Sequence, residues 1–166
     1  MDLSEYLQWL YDYHCWATNR LLTLAAAVPP ADYQRPHPSG QGSLQRVLTH
    51  LYVAEWRWRE RCERGGCPLD PPGLPALTTP TALAEALAGE QARWRVVLAA
   101  TEPDRLVRYQ RTDGGVEQQR FGEIVAHLVN HGTQHRAEAA WILTELGSSP
   151  GDLDLIVYLR ARPAGS

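Results

Sequence analysis

The stretch 65–80, "GGCPLDPPGLPALTTP", separates two long helical segments and decides how they can be connected. Its five prolines and three glycines are incompatible with a continuous helix. A proline-rich chain extends about 3.1 Å per residue, so residues 65–78 can span about 40 Å. The preceding segment, at about 1.5 Å per residue, is shorter than this span as a helix. The connection is therefore long enough to run back along that helix, which permits a crossover between the second and third helices.

Outward from this connection, the chain carries the apolar periodicity of amphipathic helices in four segments. Ser43 precedes the second segment as an N-cap, and Thr79 precedes the third, with Pro80 at its first helical position. The four predicted helices cover residues 3–27, 44–64, 80–102 and 121–146. Four such helices predict an all-α fold, a four-helix bundle.

Two shorter elements complete the prediction. Residues 105–120 alternate around Asp113-Gly114-Gly115, which predicts a short hairpin before the fourth helix. Residues 152–161 predict a short C-terminal helix. The length is that of one domain, so we expect residues 1–166 to form a single unit.

Composition narrows the class of function. The net charge of −3 is not that of a nucleic-acid-binding domain, which is usually basic. No apolar run approaches the roughly 18 residues of a membrane span. The first residues, "MDLSEYLQWL", lack the basic and apolar regions of a secretion signal. We therefore expect a cytoplasmic protein with neither a nucleic-acid nor a membrane partner.

The absence of lysine narrows the chemistry, because all 16 basic residues are arginine. This excludes Schiff-base and pyridoxal-phosphate chemistry on a lysine, and it excludes the lysine of a phosphate-binding loop. The three cysteines, Cys15, Cys62 and Cys67, form no CxxC pair, so we expect free thiols in a reducing compartment.

The fourth helix carries the most informative pattern, "HLVNHGTQHRAE" at residues 127–138. At about 100° per residue, His131 and His135 point toward the bundle core, and His127 lies on the rim of the apolar face. Two histidines at i and i+4 can bring both ring nitrogens to one metal ion. Two core histidines hydrogen-bonded to the backbone or to each other are the alternative, because two ligands do not complete a site.

A third ligand would have to come from another helix, and periodicity leaves two candidates. His50 lies just beside the apolar face of the second helix, whereas His14 lies on the apolar stripe of the first. Periodicity alone slightly prefers His14, so the choice stays open at this point.

The chain resembles the DinB/YfiT-like family of metal-binding four-helix bundles. The matching stretches are "YHCWATNRLL" (13–22), "GSLQRVLTHLYVAEWRW" (42–58) and "HLVNHGTQHRAEAAWIL" (127–143). The resemblance implies a bundle with a crossover between the second and third helices, often assembled as a homodimer. It also implies one metal held by His50, His131 and His135, with His127 outside the ligand set.

This resemblance implies a divalent transition metal. Imidazole ligands suit zinc or nickel, with iron or copper as alternatives. Three histidines leave a coordination position open, as in catalytic sites. Some relatives are transferases that use a low-molecular-weight thiol, so we expect a thiol S-transferase type of enzyme. The alternatives are a non-catalytic metal- or ligand-binding stress-response protein and a metal-dependent hydrolase, although Gly132 stands where zinc peptidases have glutamate.

Two further features lie near the predicted site. Glu138 falls near the histidine face, where it is either a solvated rim carboxylate, the simpler interpretation, or an acceptor that orients an imidazole. His127 is a second candidate for such a supporting position. On the second helix, four arginines fall near the angular position of His50: Arg46, Arg57, Arg61 and Arg64. They could attract an anionic thiol, although a solvated face is the more common meaning of such a stripe.

Overall fold

A computed structural model describes residues 1–38, 40–67 and 69–161, and the rest of the predicted 1–166 domain lies outside these ranges. Its helices are α1 (Leu3–Ala25), α2 (Pro30–Gln34), α3 (Leu44–Arg64), α4 (Pro80–Ala100), α5 (Phe121–Glu145) and α6 (Leu155–Ala161). Strands β1 (Leu106–Gln110) and β2 (Val116–Arg120) form an antiparallel hairpin. The predicted all-α bundle, its hairpin and its short C-terminal helix are therefore confirmed.

The long helices begin where the sequence supplies capping residues. The Ser43 side chain accepts a hydrogen bond from the Arg46 backbone N–H, and Thr79 caps α4 in the same way with Pro80 following it. The helix α2 was not predicted, because its five residues are too few to show a periodicity. It begins at Pro30, where the fixed φ of proline suits the first helical position.

The core consists of two clusters, one at each end of the bundle. The helix ends that meet in each cluster show the direction in which each helix runs. One end joins the last turns of α1 and α5 to the first turns of α3 and α4, through residues such as Leu21, Leu143, Leu48 and Leu87. The other end joins the opposite turns of the same helices. The helices α3 and α4 therefore run parallel to each other and antiparallel to α1 and α5.

The connection between α3 and α4 confirms the predicted crossover. Parallel neighbouring helices require a connection that returns along the bundle. Arg57 donates to the Leu69 carbonyl, and Gln45, three turns earlier on α3, reaches the Thr78 carbonyl. Residues 69–79 thus run back along α3 and form a wall beside it.

Within the described ranges, no helix is both long and apolar enough to cross a bilayer.

Candidate metal centre

Three histidines from two helices converge at the middle of the bundle. His50 projects from α3, and His131 and His135 project from successive turns of its neighbour α5. Their candidate ligand nitrogens all lie within 4.8 Å of one another. The Nε2 atoms of His50 and His131 are 3.2 Å apart, and the His135 ring centroid is 4.5 Å from each of the other two. The structure therefore groups the three histidines that the resemblance implies.

The protonation of this cluster favours the form that binds metal. Burial is the main cause that lowers the pKa of His131 to about 4, and the neighbouring His135 and His50 add to it. Burial and the charge of His135 also lower the pKa of His50. Both rings are therefore neutral at pH 7, and neutral imidazole is the ligand form.

Hydrogen bonds among the three rings do not give a partner to every ring nitrogen that faces the shared space. A single proton can join Nε2 of His50 to Nε2 of His131, because one neutral ring nitrogen donates and the other accepts. The Nδ1 atom of His135 contacts Glu138, which leaves its Nε2 for the shared space. A cation at the centre would give all three nitrogens a partner, so the cluster could hold a metal ion.

Glu138 supports the cluster from the next turn of α5. Its Oε2 lies 3.2 Å from Nδ1 of His135, and its Oε1 accepts the backbone N–H of Gln41. The side chain is 13% exposed, so a solvated rim carboxylate, the simpler interpretation of the sequence, does not describe it. Gly40 passes so close that a Cβ at that position would overlap this carboxylate. The contact with Glu138 directs Nε2 of His135 toward the other two histidines.

His127 stands apart from this group. It is exposed, its ring centroid is 5.8 Å from that of His131, and it packs edge-on against Trp58. Within the described ranges, no hydrogen bond joins it to the three histidines. Together with Tyr109 and Ile124 it lines a cleft of about 280 Å³.

His14, the other candidate from periodicity, belongs to a separate buried network. Its Nε2 lies 2.9 Å from Oε1 of Glu55, and its Nδ1 lies 2.6 Å from a guanidinium nitrogen of Arg136. Because arginine only donates, Nδ1 accepts and Nε2 carries the proton that is donated to Glu55. Tyr11 donates to the second oxygen of Glu55, and Arg136 also donates to Thr133. Both ring nitrogens of His14 are thus occupied, which excludes it from the metal cluster in this arrangement.

Gly132 explains how the two groups coexist on one helix. It lies between His131 and His135 in sequence but faces α1, and a Cβ there would overlap the His14 ring. A glutamate at this position, as in zinc peptidases, would therefore displace His14 rather than reach the three histidines.

Glu55 is the residue of this region that the sequence patterns did not single out. It is fully buried at 0% exposure. It lies one turn after Leu51 and one turn before Trp58, on the apolar face of the second predicted helix. A carboxylate on the apolar face of a helix could have indicated its role from the sequence, because a buried charge requires partners.

The His50 side of the cluster opens into a groove of about 440 Å³. One wall is α3, with Arg46, Thr49 and Val53, and the other is the crossover connection, with Leu74 and Leu77. The crossover therefore creates a ligand-sized space that includes one of the three histidines.

Fold and site together define a class of protein: a crossover four-helix bundle with a three-histidine cluster between two neighbouring helices. The family model described as the DinB family matches residues 3–165, and the chain belongs to this family. It is similar to "Protein DinB" of Bacillus subtilis (strain 168), with 24% identity over 176 residues. The matched region covers 95% of this chain and 96% of that protein.

Proposed function

We propose that this chain is a metal-dependent enzyme of the S-transferase type that acts on a low-molecular-weight thiol. His50, His131 and His135 would hold a divalent transition metal, zinc or nickel before iron or copper. The convergence of three candidate ligand nitrogens within 4.8 Å, beside a groove, carries this proposal.

The donor set fits a catalytic rather than a structural metal. Structural zinc sites are closed by four protein ligands, whereas catalytic sites keep three and leave a position for water or substrate. Within the described ranges, the group of candidate ligands contains three histidines and no cysteine or carboxylate. A bound cation would act there as a Lewis acid that lowers the pKa of a coordinated thiol.

The surrounding residues favour a thiol over a hydrolytic water. Hydrolysis by a metal-bound water usually needs a nearby carboxylate base. Glu138 is the carboxylate in contact with the cluster, and its two oxygens are already engaged by His135 and Gln41. Gly132 occupies the motif position of the zinc-peptidase glutamate. A thiol needs no such base, because its ordinary pKa of about 8.5 is far below that of water and coordination to a cation would lower it further.

The protein's own thiols are not placed to supply the nucleophile. Cys15 and Cys62 are buried in the core at the hairpin end, and burial raises the pKa of both, that of Cys62 to about 12. Cys67 is a free thiol on the crossover connection, but it belongs neither to the described residues that line the groove nor to the group of candidate ligands. The thiol is therefore expected to arrive as a substrate through the groove.

The test measures metal content and thiol binding separately. Protein loaded with one equivalent of Ni²⁺ is titrated with 2-mercaptoethanol and with cysteine while the visible absorption is followed. A new band that saturates with thiol, and that is absent from His135→Ala, is expected. Stoichiometric metal without any thiol-dependent change would contradict the proposal and leave a non-catalytic metal-binding protein.

Activity is measured on the same preparations with a thiol and an electrophile such as 1-chloro-2,4-dinitrobenzene. The rate is expected to depend on the metal and to disappear with chelator. His127→Ala is the matched control, because it removes a histidine of the same helix that lies outside the cluster. A rate that is the same with and without metal would overturn the assignment of catalysis to this site.

A further inference from the structure

The four arginines of α3 that lie near the angular position of His50 form an arginine stripe, and the structure divides them into two groups. Arg46 and Arg57 line the groove that contains His50. Arg61 lies over the rings of Trp58 and Tyr109, with its Cζ 4.7 Å from the Trp58 ring centroid. The fourth arginine of the stripe, Arg64, pairs with Glu60. The stripe therefore reduces to two groove arginines.

These two arginines differ in the hydrogen bonds and ion pairs that their guanidinium groups already make. Arg57 donates from Nε to the Leu69 carbonyl and from a terminal nitrogen to Asp70 at 3.1 Å. It fastens the crossover connection to α3, so its guanidinium is largely committed to the fold. No described carboxylate lies within ion-pair distance of Arg46.

The position of Arg46 relative to the histidine cluster is fixed by the helix. It precedes His50 by one turn of α3, and its backbone N–H is held by the Ser43 cap. Its guanidinium lies 3.7 Å from where a Cβ of Gly42 would be, at the groove end nearest the start of α3. The cation and the cluster thus lie on one helical face and open into the same space.

We propose that Arg46 binds a carboxylate of the thiol substrate, so that the groove selects anionic thiols. This inference rests on the proposed function, since it concerns the part of the substrate remote from the sulfur. An arginine binds a carboxylate through two parallel N–H donors, and this geometry gives selectivity as well as affinity. Val53 and Leu77 supply apolar contacts along the groove for the methylene chain between the two ends of the substrate.

The experiment compares acids and alcohols of equal chain length that carry a terminal thiol. The probes are 3-mercaptopropionate against 3-mercaptopropanol, and 6-mercaptohexanoate against 6-mercaptohexanol. Dissociation constants are measured by calorimetry and by visible absorption with nickel-loaded protein, for the unmodified chain, Arg46→Gln and Arg93→Gln. Arg93 is an exposed arginine on α4 outside the groove, so it controls for loss of a surface charge.

The acid of at least one length is expected to bind about tenfold more tightly than its alcohol, a gain typical of a charge-assisted pair. Arg46→Gln should abolish this preference and leave the alcohol's dissociation constant and the metal content unchanged, whereas Arg93→Gln should keep the preference. Equal binding of acid and alcohol at both lengths, or a preference that survives Arg46→Gln, would overturn the inference while the proposed function stands. Failure of all four thiols to bind would contradict the proposed function and, with it, this inference.

Discussion

Two histidine-containing clusters lie on opposite sides of α5, one against α1 and the other against α3. They differ in whether the ring nitrogens already have hydrogen-bond partners. On the α1 side, His14 is 1% exposed and sits between Glu55 and Arg136, with both ring nitrogens hydrogen-bonded. On the α3 side, His50 and His131 meet with their Nε2 atoms facing each other. A closed network stabilises a fold, whereas a group with converging lone pairs is suited to a ligand.

The charges make the same distinction. In the buried network a carboxylate and a guanidinium are bridged by His14, so each charge has a counterpart in the core. On the other side, burial and then the neighbouring histidines lower the pKa of His131, and within the described ranges the group of candidate ligands contains no carboxylate. Removal of a partner should therefore affect stability in the first group and ligand binding in the second.

The largest expected effect is on the closed network. Glu55→Ala leaves Arg136 buried without a compensating charge, and such a change costs about 3–5 kcal/mol of folding free energy. Urea denaturation of the metal-free protein measures it. Glu85→Ala, an exposed position on α4, should change the free energy of unfolding by no more than about 0.5 kcal/mol. Equal free energies of unfolding for the two variants would show that the His14 network does not stabilise the fold.

The second effect is on metal affinity. His135→Ala removes one of the three proposed ligands and should weaken metal binding by more than about 100-fold. This is a larger loss than the one expected when a proposed ligand only loses its hydrogen-bond partner. Competition with a chromophoric chelator measures the affinity. His127→Ala should bind metal like the unmodified chain. Comparable losses in the two variants would show that the site includes His127.

A smaller effect is expected at Glu138, which contacts the proposed ligand His135 and does not itself belong to the group of candidate ligands. Glu138→Ala should lower metal affinity by about 10- to 100-fold, because the His135 ring loses the partner that fixes its orientation. The same chelator competition applies, with Glu85→Ala as the control. An unchanged affinity would mean that packing alone orients this ring.

The remaining effect concerns pH and the metal-free protein. The pKa of His131 is about 4 when folded, against an ordinary value of 6.5. The unfolded chain therefore binds the proton first, so stability is complete above pH 6.5 and declines as the pH falls toward 4. Urea denaturation across this range measures the decline, and His131→Gln should reduce it. A decline of the same size in that variant would place the titrating group elsewhere.

Much of the architecture could be predicted because it depends on local signals. Ser43, Thr79 and Pro80 mark helix starts within the chain itself, and the length of the proline-rich connection permitted the crossover. The parallel direction of α3 and α4 needed the structure, because a long flexible connection permits either direction.

The site could be predicted only in part. Periodicity placed His131 and His135 toward the core, but it could not choose between His14 and His50, since both lie near apolar faces. The choice depends on Glu55 and Arg136, which come from two other helices and occupy His14. The contact of Glu138 with His135 likewise depends on the 40–41 loop, a tertiary approach that no spacing in the sequence encodes.

The most direct test of this account is an anomalous difference map, recorded at the metal absorption edge, of crystals grown with one equivalent of Zn²⁺ or Ni²⁺. The account predicts one peak about 2.0–2.1 Å from ring nitrogens of His50, His131 and His135, with a coordination position open to the groove. A peak coordinated by His14 or His127, or no peak at the three histidines, would contradict it.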